Sequence, residues 1–101
     1  MMQKPVFTME HIVAKVKPLA DKYHVKEIYL FGSYARGEAD ENSDLDFLVF
    51  GGEKFKRTMI FALAEDLRET LEKKVDVFEI GEVNPDSNFY KTIMKEKVLV
   101  A

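Results

Sequence analysis

Two neighbouring segments decide how this chain folds: Phe31-Gly-Ser-Tyr-Ala-Arg-Gly-Glu38 and Ser43-Asp-Leu-Asp-Phe-Leu-Val49. The first segment carries a strand-like run into a glycine turn. The second opens another strand with an Asp-x-Asp pair, and ten residues separate Ser33 from Asp44. This spacing predicts a turn of the size of a phosphate group beside two carboxylates.

Asp44 and Asp46 are spaced to bind a divalent cation. Side chains at positions i and i+2 of a strand share one face, so both carboxylates can hold the same cations while Leu45 and Phe47 face the core. Such hard oxygen ligands suit Mg²⁺ or Mn²⁺. The chain has no Cys and only two His, which leaves little for a zinc site. Taken alone, the acid pair is equally compatible with a solvated strand entrance.

Gly32 and Ser33 are candidates for phosphate binding. Gly32 lets the backbone turn sharply and approach a ligand, and we expect Ser33 to begin a short helical turn. Free N–H groups of such a turn attract anions, and the Ser33 hydroxyl can donate to a phosphate oxygen. The alternative for Ser33 is a simple N-cap. Arg36 can either reach a phosphate or pair with Glu38 or Asp40 to hold the loop.

Asp76 is the candidate for a third metal ligand. It lies in Lys74-Val-Asp-Val-Phe-Glu-Ile80, whose alternation predicts a strand with Val75 and Val77 facing the core. Pairing of this strand beside the Asp-x-Asp strand would bring three carboxylates together, whereas Glu79 falls on the wrong face. The alternative is an exposed polar residue on a half-buried strand.

The rest of the pattern predicts a scaffold of the α+β (α/β) class, a small mixed β-sheet flanked by helices. The first helix is expected from about Met9 to Tyr23 with Thr8 as N-cap, and Pro18 should kink it or break it in two. Further strands are expected over 26–31, 44–50 and 98–100. Further helices are expected over about 55–73, with the core stripe Met59, Ile60, Leu63, Leu67 and Leu71, and around 89–94.

Length and charge limit the function classes. We expect one domain spanning residues 1–101, with no room for a second substrate-binding domain. A net charge of −3 argues against strong nucleic-acid binding by the isolated domain. The sequence shows no signal peptide and no apolar run long enough to span a bilayer, and the absence of Cys suits a reducing compartment. We therefore expect a cytoplasmic protein without a membrane partner.

The series Gly32-Ser33, ten residues, Asp44-x-Asp46 and a later strand with Asp76 resembles the DNA polymerase β superfamily of nucleotidyltransferases. It is most similar to the minimal nucleotidyltransferase (MNT) group, whose members typically act as antitoxins to HEPN-domain ribonuclease toxins by transferring AMP from ATP to a toxin tyrosine. The resemblance implies a polymerase β-like nucleotidyltransferase fold. It also implies that the three aspartates are catalytic metal ligands and that Gly32 and Ser33 hold the triphosphate.

The mechanism expected from these residues is metal-assisted nucleotidyl transfer. Two Mg²⁺ ions, or Mn²⁺, would stabilise the attacking and leaving oxygens of an in-line displacement at the α-phosphorus, with pyrophosphate leaving. Two other functions stay open. One is a non-catalytic binding module that blocks a toxin by covering it. The other is a nucleotidyltransferase for a small molecule such as an aminoglycoside, although such enzymes usually carry another domain.

Overall fold

The computed structural model describes residues 6–101, so residues 1–5 of the expected 1–101 domain lie outside the described part. Its elements, in chain order, are α1 (Met9–Lys22), β1 (Glu27–Phe31), β2 (Leu45–Phe50), α2 (Met59–Leu71), β3 (Val75–Glu79), a 3-10 turn (Ile80–Glu82), α3 (Asn88–Glu96) and β4 (Val98–Leu99). Across residues 6–101, none of the helices has the length and apolar character needed to cross a membrane.

The strands form one four-stranded sheet in the order β3-β2-β1-β4. β1 is antiparallel to both β2 and β4, whereas β2 and β3 are parallel. The parallel pair is joined through α2, as a crossover between parallel strands requires. The expected small mixed sheet flanked by helices is therefore confirmed.

Different helices pack on the two faces of the sheet. Side chains alternate along each strand, and those of Leu45 and Phe47 enter the main core under α1 and α2. The opposite face is covered in part by α3, where Ile93 packs on Phe31 and Leu48. Since residue 46 alternates with its neighbours, its side chain belongs to the α3 face.

Pro18 does not break α1, which runs unbroken from Met9 to Lys22. The expected division into two short helices is therefore wrong. Pro18 is exposed, so the carbonyl that loses its hydrogen bond can be solvated, while Val16 and Ala20 on either side are buried and hold both halves of the helix on the core.

The second helix begins later than its periodicity predicts, at Met59 instead of residue 55. Phe55 is buried and lies directly over Gly51, which keeps the chain in a loop before the helix can begin. Met59 was expected in the core stripe but is 41% exposed, whereas Leu63 and Leu67 are fully buried. The use of Phe55 as a core side chain thus shifts the start of α2.

Candidate active site

Asp46 and Asp76 lie side by side on the α3 face of the sheet. They are register partners on the parallel strands β2 and β3, and such neighbours share a face with their backbones about 5 Å apart. Asp44 lies one residue before β2, and its half-exposed carboxylate is 3.9 Å from Lys74 Nζ. The expected pairing of the Asp76 strand beside the Asp-x-Asp strand is confirmed.

The electrostatics of Asp46 reflect this crowding. Burial, which disfavours the charged form, and the negative charges of Asp76 and Asp44 raise its pKa from 3.8 to about 6. The Arg36 guanidinium opposes this rise, and Glu96 adds slightly to it. Ionisation of Asp46 is therefore less favourable than that of a free carboxyl group, and a nearby positive charge would favour it.

The donor chemistry of this face fits a divalent cation. The three carboxylates are hard oxygen donors, and a cation would offset both the burial and the repulsion that raise the pKa of Asp46. Within residues 6–101, however, no three acidic or histidine side chains are gathered into a ready-made metal-binding group. The fold places the acids on one face, and closing them around a metal requires movement of their side chains.

Gly32 brings the loop after β1 against Asp46. Phe31 pairs with Asp46 across β1 and β2, and Gly32 then adopts a φ of +76°, which favours glycine. A Cβ atom at this position would collide with Asp46 Oδ2. Both the backbone conformation and the close approach of the carboxylate therefore require glycine here.

The loop after Gly32 forms the expected short helical turn. The N–H of Arg36 donates to the Gly32 carbonyl at 3.1 Å, and the N–H of Glu38 donates to the Ser33 carbonyl at 2.9 Å. In the described chain, the Ser33 hydroxyl and the N–H groups of residues 33–35 make no hydrogen bond. The simple N-cap role of Ser33 is therefore not used, and the turn presents free donors beside Asp46.

Arg36 holds this turn through two acids. Its Nε donates to Glu38 at 2.7 Å, which confirms one of the two expected loop contacts, and its Nη1 donates to Glu96 at 3.1 Å. Asp40, the other expected partner, makes no hydrogen bond or ion pair with Arg36 in the described chain and instead accepts the N–H of Asn42 at 2.8 Å. The loop that leads to Asp44 is thus stabilised separately.

Sequence reasoning missed two residues of this site, Glu96 and Lys73. Glu96 accepts the N–H of Gly32 at 3.0 Å. It lies in the last turn of α3, where the helix dipole disfavours a negative charge, and that placement is the one local signal of a role. Lys73 is only 8% exposed, and its Nζ lies 3.4 Å from the carbonyls of both Glu41 and Ser43, just before Asp44. Nothing in its spacing indicates this contact.

The acids lie away from the two best-formed concavities of the described chain. These concavities, of about 540 and 370 Å³, are lined by the ends of α1 and α2 and by the segment around Gly51 and Gly52. None of the three aspartates lines either of them. The candidate site therefore does not coincide with either of these concavities.

Comparison with known proteins assigns the family. Residues 14–101 match the family described as polymerase beta, nucleotidyltransferase. The chain belongs to this family. The protein adenylyltransferase MntA of Thermococcus cleftensis is 36% identical over 99 residues, which cover 94% of this chain and 98% of that protein. Nucleotidyltransferases of this superfamily typically use divalent metal ions.

Two solved structures share the fold of this nucleotidyltransferase. One is a toxin-antitoxin structure with AMP-PNP, with a TM-score of 0.74 and 23% identity over 88% of this chain and 72% of that chain. The other is a tri-AMPylated Shewanella oneidensis HEPN toxin in complex with an MNT antitoxin, with a TM-score of 0.70 and 19% identity over 93% of this chain and 72% of that chain.

The nucleotidyltransferase fold therefore places the residues of the motif on one side of the sheet, although the three carboxylates do not form a closed metal-binding group within residues 6–101. Asp46 and Asp76 are strand neighbours, Asp44 is near enough to raise the pKa of Asp46, and the turn at 32–36 lies against the same carboxylate. The roles of these side chains in metal and phosphate binding stay predictions.

Proposed function

We propose that this nucleotidyltransferase transfers AMP from ATP to a tyrosine hydroxyl of a HEPN toxin and so acts as its antitoxin. The observation that carries the proposal is the junction at Asp46, which is in register with Asp76 and lies against the donor-rich turn at Gly32. The 36% identity to the adenylyltransferase MntA supports AMP as the transferred group. The HEPN toxin carrying AMP beside an MNT antitoxin of the same fold supports the acceptor.

Two sets of groups would bind the metal ions and the phosphates. Asp44, Asp46 and Asp76 would hold two Mg²⁺ ions, which when bound supply positive charge to the attacking and leaving oxygens. The free N–H groups of the turn and the Ser33 hydroxyl donate to the phosphate oxygens. Arg36, which opposes the rise in the pKa of Asp46, adds positive charge beside these groups.

The reaction at the α-phosphorus is a displacement. A new bond forms between the acceptor oxygen and the phosphorus, while the bond to the pyrophosphate oxygen breaks. The proton of the acceptor hydroxyl passes to a carboxylate, and Asp76 is our candidate because it stands at the outer side of β2 on the edge strand β3. Pyrophosphate leaves, and AMP stays on the acceptor.

The surface beside the acids favours a protein acceptor over a small molecule. Phe78 lies two residues after Asp76 on the same strand face and is 37% exposed, and Phe89 of α3 is 44% exposed. Their rings meet edge to face at 5.3 Å. Exposed aromatic side chains of this kind are enriched where proteins contact one another.

The test is co-expression with the HEPN toxin and measurement of the toxin's intact mass. We expect additions of AMP with the wild type and none with Asp44→Asn/Asp46→Asn, a double variant that removes two metal-binding charges at nearly constant volume. Asp86→Asn, which changes an exposed acid outside the site, should keep full transfer.

Two results would favour the competing functions. Neutralisation of the toxin by the double variant, with no change in toxin mass, would favour a module that acts by covering the toxin. Transfer of the labelled AMP group from ATP only to an aminoglycoside or another small acceptor would favour a small-molecule nucleotidyltransferase.

A further inference from the structure

Glu96 occupies the groups of the turn that a phosphate would need. One carboxylate oxygen accepts the N–H of Gly32 at 3.0 Å, and the other accepts Arg36 Nη1 at 3.1 Å. A planar anion with two oxygens thus bridges a backbone donor and a guanidinium. Phosphate groups are bound by the same pair of donors.

This contact holds a negative charge where the surroundings oppose it. Glu96 lies at the negative end of the α3 dipole, and its side chain is only 18% exposed. It is also close enough to add to the negative charge at Asp46. The two donors must compensate for these costs, which identifies Gly32 N–H and Arg36 as a subsite that attracts anions.

We propose that Glu96 substitutes for the triphosphate in the nucleotide-free protein and is displaced when a nucleotide binds. It keeps the Gly32 turn closed and Arg36 oriented until phosphate oxygens take over both donors. This inference rests on the proposed function in that it takes a nucleoside triphosphate as the ligand. Glu96 then weakens nucleotide binding, because its own contacts have to be broken first.

The opposite role is a positioning one, in which Glu96 keeps Arg36 and the turn ready and so strengthens binding. A third role is a direct metal ligand. The three roles predict different results for the same variant, Glu96→Gln, which keeps the size of the side chain and removes its charge. Displacement predicts tighter nucleotide binding, positioning predicts weaker binding, and a metal ligand predicts a lower kcat with unchanged KM.

The experiment measures binding of AMP-PNP with Mg²⁺ to the full chain by isothermal titration calorimetry. We expect Glu96→Gln to bind about tenfold more tightly than the wild type, the order expected when a charge-assisted contact no longer competes. Glu38→Gln is the matched control, because Glu38 also pairs with Arg36 but does not touch Gly32. It should change the affinity by less than about threefold.

Weaker or unchanged binding of AMP-PNP by Glu96→Gln would overturn the inference. An equal gain in affinity for Glu38→Gln would also overturn it, because the effect would then reflect only the change in net charge. In transfer assays the variant should lower KM for ATP. A lower kcat with unchanged KM would instead indicate a metal ligand and would also overturn it.

Failure of the proposed function looks different. If Glu96→Gln binds the analogue more tightly but neither protein modifies the toxin, the inference on Glu96 stands and the acceptor assignment is wrong. If the wild type modifies the toxin but Glu96→Gln does not bind the analogue more tightly, the acceptor assignment stands and the inference on Glu96 is wrong. Absence of nucleotide binding in both proteins would overturn both.

Discussion

Replacement of Asp46 by Asn should stabilise the metal-free protein at neutral pH. The pKa of this carboxyl is raised from 3.8 to about 6 in the folded state, first by burial and then by the charges of Asp76 and Asp44. Below the unfolded pKa, both states are protonated and Asp46 costs nothing. The unfolded state ionises as pH rises from 3.8 towards 6 while the folded state keeps its proton, so stability falls through this window.

Above pH 6 the loss is complete. The difference between the two pKa values corresponds to about 3 kcal/mol, and solvent screening of this half-buried group reduces it to about 1–2 kcal/mol. Asp46→Asn removes the charge and should therefore unfold at a temperature about 5–10 °C higher at pH 7.5. At pH 4 most of this gain should disappear.

The measurement is urea and thermal unfolding of both proteins in EDTA at pH 7.5 and pH 4. Asp86→Asn serves as the control and should stay within about 0.5 kcal/mol of the wild type. Addition of Mg²⁺ or Mn²⁺ should then stabilise the wild type more than Asp46→Asn. A variant that is no more stable than the wild type at pH 7.5, or a gain of equal size at pH 4, would refute the reasoning.

Two further predictions concern the loops on either side of the acids. Gly32→Ala should cost about 2–3 kcal/mol of stability and abolish nucleotide binding, because it adds a collision with Asp46 to the strain of a positive φ. The control Gly37→Ala has a similar φ of +74° but open surroundings, so it should cost about 1 kcal/mol and keep nucleotide binding. Equal losses of the two variants in unfolding and nucleotide-titration experiments would contradict this prediction. Lys73→Met should cost about 1 kcal/mol and lower the transfer rate, because it frees the carbonyls before Asp44. Lys91→Met, an exposed change on α3, is its control, and an unaffected rate in Lys73→Met would show that the loop holds without the lysine.

The sequence predicted the parts of the molecule that depend on local periodicity. The alternation in 44–50 and 74–80 has a period of two, so the inward positions of Leu45 and Phe47 followed directly. The Arg36–Glu38 pair was equally accessible, since its members are two residues apart. These contacts need no knowledge of the rest of the fold.

The errors and omissions arise from contacts between distant segments. Glu96 and Gly32 are 64 residues apart, and Lys73 meets Glu41 across 32 residues, so no spacing within one segment could reveal them. The start of α2 was misplaced for a related reason, because the burial of Phe55 is decided by the space over Gly51 and not by helix periodicity.

The central position of β1 affects how the protein forms during its synthesis. Its Ile28 exchanges hydrogen bonds with residues 100 and 101, and the turn that follows it is fastened by Glu96. When only the part of the chain up to β2 has left the ribosome, the glycine turn lacks its contact with Glu96 and the sheet lacks both β3 and β4. Contacts of such long sequence separation form late. A partner protein made alongside this chain would thus meet no working site until residues 96–101 have emerged and folded back onto β1.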